Sequence, residues 1–199
     1  MGTRYAFAYV LACHVDDHLK IGFSAEPLRR FETFHRRYYE VFDIDRAFLI
    51  ETDRVSEARQ VERDLMRGID VHNAPCPANI RPMAGGDTEW YRGAYDLVSR
   101  TASEIATTSG YVFHTPLRSW LRAELMRRAD GLFEWSATAM AAMNAQYIDR
   151  RDDLEAEAFR AALLDRIDAY KAVDLQIGDF VTEEFERWHA TQSHSRGPR

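Results

Sequence analysis

Along residues 5–12, YAFAYVLA, large and small side chains alternate. Tyr5, Phe7, Tyr9 and Leu11 point one way, and Ala6, Ala8, Val10 and Ala12 the other. A period of two predicts a β-strand. His14-Val15-Asp16-Asp17 supplies turn residues, and HLKIGF (18–23) predicts the partner strand of a hairpin. Gly22 lies inside that strand, a position that marks close approach by a ligand or another backbone. The period then becomes helical. Ser24 is placed to cap a helix and Pro27 suits its first turn. Leu28, Phe31, Phe34, His35 and Tyr38 share one face of this helix, which is predicted to reach Tyr39. Arg30 falls at the border of that face, about 90° from its centre at ~100° per residue. Arg29 and Arg36 point away from it.

Residues 42–51, FDIDRAFLIE, predict a third strand, and a helix follows from Ser56 to Ile69. Ala58, Val61, Leu65, Met66 and Ile69 form its apolar stripe, and Glu62 falls within the stripe. A carboxylate there is costly to bury unless it is paired or binds a metal. An ion pair such as Arg30–Glu62 and a functional carboxylate both answer that requirement. Residues 70–87 hold three of the six prolines and adjacent glycines and predict a long loop. Asp87 or Thr88 is expected to cap a helix running to about Thr107, with Gly110 ending it. Thr115-Pro116 opens another helix to about Ala129. From Leu132 the pattern is helical nearly to Ala190, broken at Gly178, with Phe180, Val181, Phe185 and Trp188 marking a last short helix. The tail from about residue 191 reads as disordered.

The expected fold class is therefore α/β (α+β). A small three-stranded antiparallel sheet flanked by helices occupies residues 1–110. An all-α extension follows over 111–199.

Composition narrows the function classes. The 199 residues are 46% apolar and 29% charged, as in an ordinary globular protein. No apolar run is long enough for a membrane span, and no signal-peptide cleavage site is evident. Cys13 and Cys76 are far apart in sequence and form no C-x-x-C pair, so a reducing cytoplasm is the expected compartment. Net charge is −6. Residues 1–100 carry 14 Lys/Arg against 16 Asp/Glu, and the remainder 12 against 16. Such a balance argues against a broad non-specific nucleic-acid surface, which would be basic. It leaves room for a compact site using the local cluster Arg29, Arg30, Arg36 and Arg37, which otherwise reads as a solvated helix face.

Tyr9, Lys20-Ile21-Gly22, Arg30, Ala58-x-x-x-Glu62-x-x-Leu65 and Glu89-Trp90-Tyr91 stand in an order that resembles the GIY-YIG nuclease superfamily. The closer likeness is to its phage-type branch, whose second motif is usually KIG and which carries a following glutamate–tryptophan–aromatic motif. The resemblance covers about residues 4–100 and does not extend into the helical extension. It implies a metal-dependent endonuclease that hydrolyses phosphodiester bonds in DNA. It also implies roles. Tyr9 would position or deprotonate the attacking water, Arg30 would contact the scissile phosphate, and Glu62 would bind one divalent cation, Mg²⁺ (or Mn²⁺).

The chemistry agrees with those roles. A guanidinium matches the charge building on the phosphate oxygens, and a hard cation on one carboxylate keeps several waters. Lys20 replaces the tyrosine of the second motif and is placed to contact phosphate or to lower the pKa of Tyr9. Phe7 stands in place of the first motif's glycine. His35, one residue beyond the position where relatives carry histidine or tyrosine, either faces the cleft or packs at the core edge. Gly22, Arg29 and Asn73 are the candidate substrate contacts. Glu89 and Trp90 read as a cap and packing residue for the helix that follows. Two further readings stay open: an inactive module of the same fold that binds nucleic acid or protein, and an extension that serves substrate choice or homodimer formation.

Overall fold

The computed structural model describes residues 5–78, 80, 89–149 and 154–195. The chain forms two compact units, Met1–Trp120 and Leu121–Arg199.

The first unit is built on a five-stranded antiparallel sheet. The predicted hairpin is present as β1 (Ala6–Ala12) and β2 (His18–Ser24). β3 (Phe48–Thr52) pairs with the other side of β1. Two short strands were not predicted, β4 (Trp90–Arg92) and β5 (Val112–His114). They extend the sheet to the order β4-β2-β1-β3-β5. Three residues are too few to display a period of two, so both strands are set by pairing with a neighbour rather than by local pattern.

Glu89-Trp90-Tyr91 therefore does not open a helix. Trp90 and Tyr91 lie in the edge strand β4, and the helix begins after Gly93, whose φ is +70°. That helix, α4 (Tyr95–Ser109), ends at Gly110 in the left-handed region, as its sequence predicts. Asp87 and Thr88, the expected caps, lie outside the described residues.

The helix expected from Ser24 to Tyr39 is two helices, α1 (Pro27–Phe34) and α2 (Tyr38–Val41). His35 is extended, with φ −155° and ψ 140°, and ends α1. Glu26 occupies the N-cap position, and Ser24 contributes from two residues earlier by accepting the Glu26 N–H on Oγ at 3.0 Å. α3 (Val55–Met66) stops three residues short of Ile69, just before Gly68 at φ +79°. Its entry is held by Glu57, whose carboxylate accepts the Arg54 N–H at 3.2 Å.

Strand register sorts the side chains onto two faces. Ala8, Val10, Leu19, Ile21, Phe48, Ile50 and Tyr91 pack with Val61 and Leu65 of α3, Ile69 just beyond it, and Val98 and Ala102 of α4 in one apolar core. The pairs Tyr9↔Gly22, Leu11↔Lys20 and Lys20↔Trp90 place the alternate positions on the opposite face. There Phe31 and Phe34 of α1 meet the Tyr9 ring edge-on, with centroids 5.6 and 6.4 Å away. Such aromatic pairs contribute about 0.5–1.5 kcal/mol each beyond area burial.

The second unit is helical. α5 (Leu117–Arg127) leads into α6 (Leu132–Asp149), α7 (Leu154–Ala172) and α8 (Glu183–Ser195). Met140, Met143, Leu163, Leu164, Ile167 and Phe185 are buried in it. Buried His189 sits between Lys171 Nζ and Asp168 Oδ1, each 3.2 Å from a ring nitrogen. α8 continues through Ser195, past the point where the sequence reads as disordered; residues 196–199 are outside the described set.

Candidate active site

Gly22 organises the site. A Cβ built on it would lie 2.3 Å from the Tyr9 Oη and 2.4 Å from Cζ. The close approach that the sequence assigns to a ligand or backbone is made by a side chain, the phenol of Tyr9. With no Cβ opposite, the ring lies flat over β2 and carries its hydroxyl toward α1. Arg30 meets it there: its Nε donates to Tyr9 Oη at 3.4 Å, while the guanidinium stacks on Phe34 with 4.4 Å from Cζ to the ring centroid. The border position predicted for Arg30 is thus the position from which an arginine reaches this face with its stem packed.

Burial pushes the Tyr9 hydroxyl above its ordinary value of 10.0; the Arg30 hydrogen bond and charge oppose this, and the Glu62 and Glu89 charges add to it. Tyr9 is consequently a neutral phenol at physiological pH. It accepts from Arg30 and keeps its own O–H to donate.

Lys20 is 1% exposed, and its Nζ donates to Glu89 Oε2 at 2.5 Å. The ammonium also lies 5.7 Å from the centroid of the Trp90 ring, in cation–π range. Burial lowers the Lys20 pKa; Glu89 and Glu62 work against that fall, and the Arg30 charge reinforces it. Lys20 and Tyr9 share a sheet face, and the charge of Arg30 is felt at both.

Glu62 arrives on α3, beside the core residue Val61. Its carboxyl is half-buried, and its pKa is raised first by that burial and second by the Glu89 charge, with Lys20, Arg59 and Arg63 opposing. Tyr9, Lys20, Arg30, Glu62 and Glu89 therefore form one electrostatic neighbourhood. The Arg30–Glu62 ion pair offered as one reading of the sequence is not among the ion pairs between described residues. Lys20–Glu89 is the pair formed.

Other candidates lie apart from this cluster. Arg29 is 78% exposed and within 3.4 Å of Glu26. His35 Nδ1 accepts the Arg37 backbone N–H at 3.1 Å, which ties the ring to the turn between α1 and α2. Asn73 is exposed and forms an isolated bridge with Tyr91, so its backbone borders β4. Glu89 is the member that sequence reasoning set aside. Its signal was the Glu-Trp-Tyr motif, hidden because those residues were read as a helix start.

No group of three His, Cys, Asp or Glu side chains among the described residues is arranged to hold a metal. The donor set still suits one hard, largely hydrated cation. The Glu89 charge raises the cost of ionising Glu62, a repulsion that a cation would relieve, and a Mg²⁺ ion needs only one or two carboxylates.

A five-stranded antiparallel sheet with a buried tyrosine and lysine on one face, met there by a partly buried arginine from α1, defines a mixed α/β domain with a charged site beside its central hairpin. The chain belongs to the T5orf172 domain family, whose model matches residues 6–106. That domain is found in phage-like nucleases and GIY-YIG-related proteins. Searches of curated proteins and of solved structures gave no match.

Proposed function

We propose that the protein is a GIY-YIG-type endonuclease that hydrolyses phosphodiester bonds in DNA, with Mg²⁺ or Mn²⁺ as cofactor. The observation that carries this reading is the Arg30 guanidinium donating to the Tyr9 phenol over Gly22, with buried Lys20 on the same sheet face and the Glu62 charge felt at both Tyr9 and Lys20. Together they supply cationic donors for phosphate, a hydroxyl for orienting water and an oxygen ligand for a hard cation. The KIG motif of the phage-type branch supplies Lys20 and Gly22, and its Glu-Trp-Tyr motif supplies Glu89, the partner of Lys20.

In this mechanism Arg30 binds the non-bridging oxygens of the scissile phosphate, which gain negative charge as the bond to the leaving oxygen breaks. Phe34 holds the guanidinium plane in place. Tyr9, a neutral phenol, orients the attacking water by hydrogen bonding, and the water's proton passes to a non-bridging phosphate oxygen rather than to Tyr9. Lys20 keeps positive potential beside the phosphate, and Glu89 holds that ammonium on the sheet. Glu62 would hold the cation, which when bound would supply Lewis-acid stabilisation of the leaving oxygen.

A supercoiled-plasmid assay with Mg²⁺ or Mn²⁺, comparing wild type with Glu62→Ala and Arg30→Ala, tests the reading. Conversion to nicked or linear DNA by wild type alone supports it. Equal cutting by Glu62→Ala, or no cutting of linear, branched or single-stranded DNA by wild type, rejects it. The Lys20–Glu89 pair favours a second reading, a non-catalytic binding module, because the ammonium in a tyrosine's place is already engaged by a carboxylate. Affinity for DNA without turnover under any metal would select that reading. The expected setting is cytoplasmic; among the described residues no helix is long and apolar enough to cross a membrane.

A further inference from the structure

The chemistry proposed above leaves one cluster on the Tyr9 face unused. Phe7 precedes Tyr9 by two residues, which puts it on the same face and about 7 Å along the strand. Its ring is half-buried and meets Trp120 edge-on at 5.6 Å and His114 at 6.3 Å. The register Phe7↔Glu51 and Leu49↔His114 places Glu51 and His114 on this face as well. They are hydrogen-bonded, His114 Nε2 to Glu51 Oε2 at 2.7 Å, with each side chain 24% exposed. The Nε2–H of His114 thus fixes the carboxylate plane through one oxygen. The other oxygen, Oε1, has no hydrogen-bond partner among the described residues.

We propose that Phe7, Trp120 and Glu51 form a subsite for an unpaired nucleobase bearing an exocyclic amino group (cytosine, adenine or guanine), next to the phosphate held by Arg30. This rests on the nucleic-acid reading of the neighbouring site. Three properties select such an occupant. Half-exposed rings of Phe and Trp offer stacking surface to any base. A carboxylate oxygen free to accept is complementary to an amino N–H and repels the carbonyl edge of thymine. The subsite continues the sheet face that carries Tyr9 and Gly22, so base and phosphate can belong to one strand. An aliphatic ligand would fit the rings but make no use of the Glu51 carboxylate, and an anion would be repelled by it.

The test uses a short single-stranded oligonucleotide with one 2-aminopurine, bound to the full chain in EDTA so that no strand is cut. Stacking is expected to quench the fluorophore on binding. Trp120→Ala is expected to remove the quench and weaken binding about 5- to 100-fold, while Trp120→Phe retains both. Glu51→Gln is expected to reduce the preference for cytosine- or adenine-bearing oligonucleotides over thymine-bearing ones. Circular dichroism melting of each variant separates these effects from misfolding. Binding without quench, or a quench and base preference unchanged in Trp120→Ala and Glu51→Gln, overturns the subsite. If wild type still cuts plasmid in that case, the nuclease reading stands without it. Quenching with no cutting under any metal retains the subsite and rejects the nuclease. Absence of DNA binding rejects both.

Discussion

Lys20 Nζ and Glu89 Oε2 lie 2.5 Å apart, joined across the β2–β4 pairing although 69 residues separate them in the chain. The lysine is buried and the glutamate keeps 32% of its side chain in solvent. Removing either partner has unequal consequences. Glu89→Ala leaves an ammonium buried without its carboxylate, and a loss of about 1–3 kcal/mol in urea unfolding is expected. That is less than for a fully enclosed pair, because Glu89 is partly screened by water. Lys20→Met, which keeps the volume and lets Glu89 turn to solvent, is expected to cost less stability and more activity. Equal losses of stability in the two variants would contradict the assignment of Lys20 as the buried member.

Gly22→Ala is expected to be destabilising by about 1–3 kcal/mol, because a new methyl would fall inside the Tyr9 phenol. The variant should also lose cleavage, since the ring must leave its place to make room. The double variant Tyr9→Ala, Gly22→Ala should unfold at nearly the same denaturant concentration as Tyr9→Ala alone, a non-additivity that reports the contact. Additive losses would show that the glycine serves some other need.

The Glu62 pKa sets a pH dependence. Because the folded-state pKa is raised above the ordinary 4.5, chiefly by burial, the folded protein holds the Glu62 proton more tightly than the unfolded chain does. Its contribution to stability is full below the unfolded pKa and is lost as pH rises through the raised folded value. Glu62→Gln is therefore expected to melt at a higher temperature than wild type at neutral pH, with the difference vanishing toward pH 4, while cleavage is abolished. Added Mg²⁺ should raise the wild-type melting temperature and leave that of Glu62→Gln unchanged. A variant that melts lower than wild type at neutral pH would show that ionised Glu62 stabilises the fold.

Arg30→Lys keeps the charge but removes both the planar stack on Phe34 and the Nε donor to Tyr9. Its cleavage rate is expected to fall about 100- to 1,000-fold, the range for losing one preorganised donor to a developing negative charge. The melting temperature should move little, since Arg30 is only partly buried. A rate within a few-fold of wild type would mean that Arg30 needs only its charge.

The hairpin β1–β2, the helices α1 and α3 and the border place of Arg30 were legible because each is a local periodic pattern. An alternation of seven residues and an apolar stripe of three turns record the environment of a segment within the segment itself. The break at His35 was not visible: both halves keep apolar residues at helical spacing, and the ring contacts Phe31–Tyr38 and Phe34–Phe42 that accompany the turn belong to packing rather than to pattern. β4 and β5 left no signal for a related reason, since three residues cannot show a period and their pairing partners lie far away in the chain.

By itself the sequence determined a mixed α/β region carrying Tyr9, Gly22, Arg30 and Glu62 on its hairpin and first helices, followed by a helical extension. Only the tertiary structure decided what stands next to Gly22, Lys20 and Glu62. Strand register placed the Tyr9 phenol over Gly22, and the edge pairing Lys20↔Trp90 brought Glu89 to Lys20. Spacing along a chain cannot encode either contact. Each depends on which strands become neighbours, and that is set by the burial of the opposite face against α3 and α4.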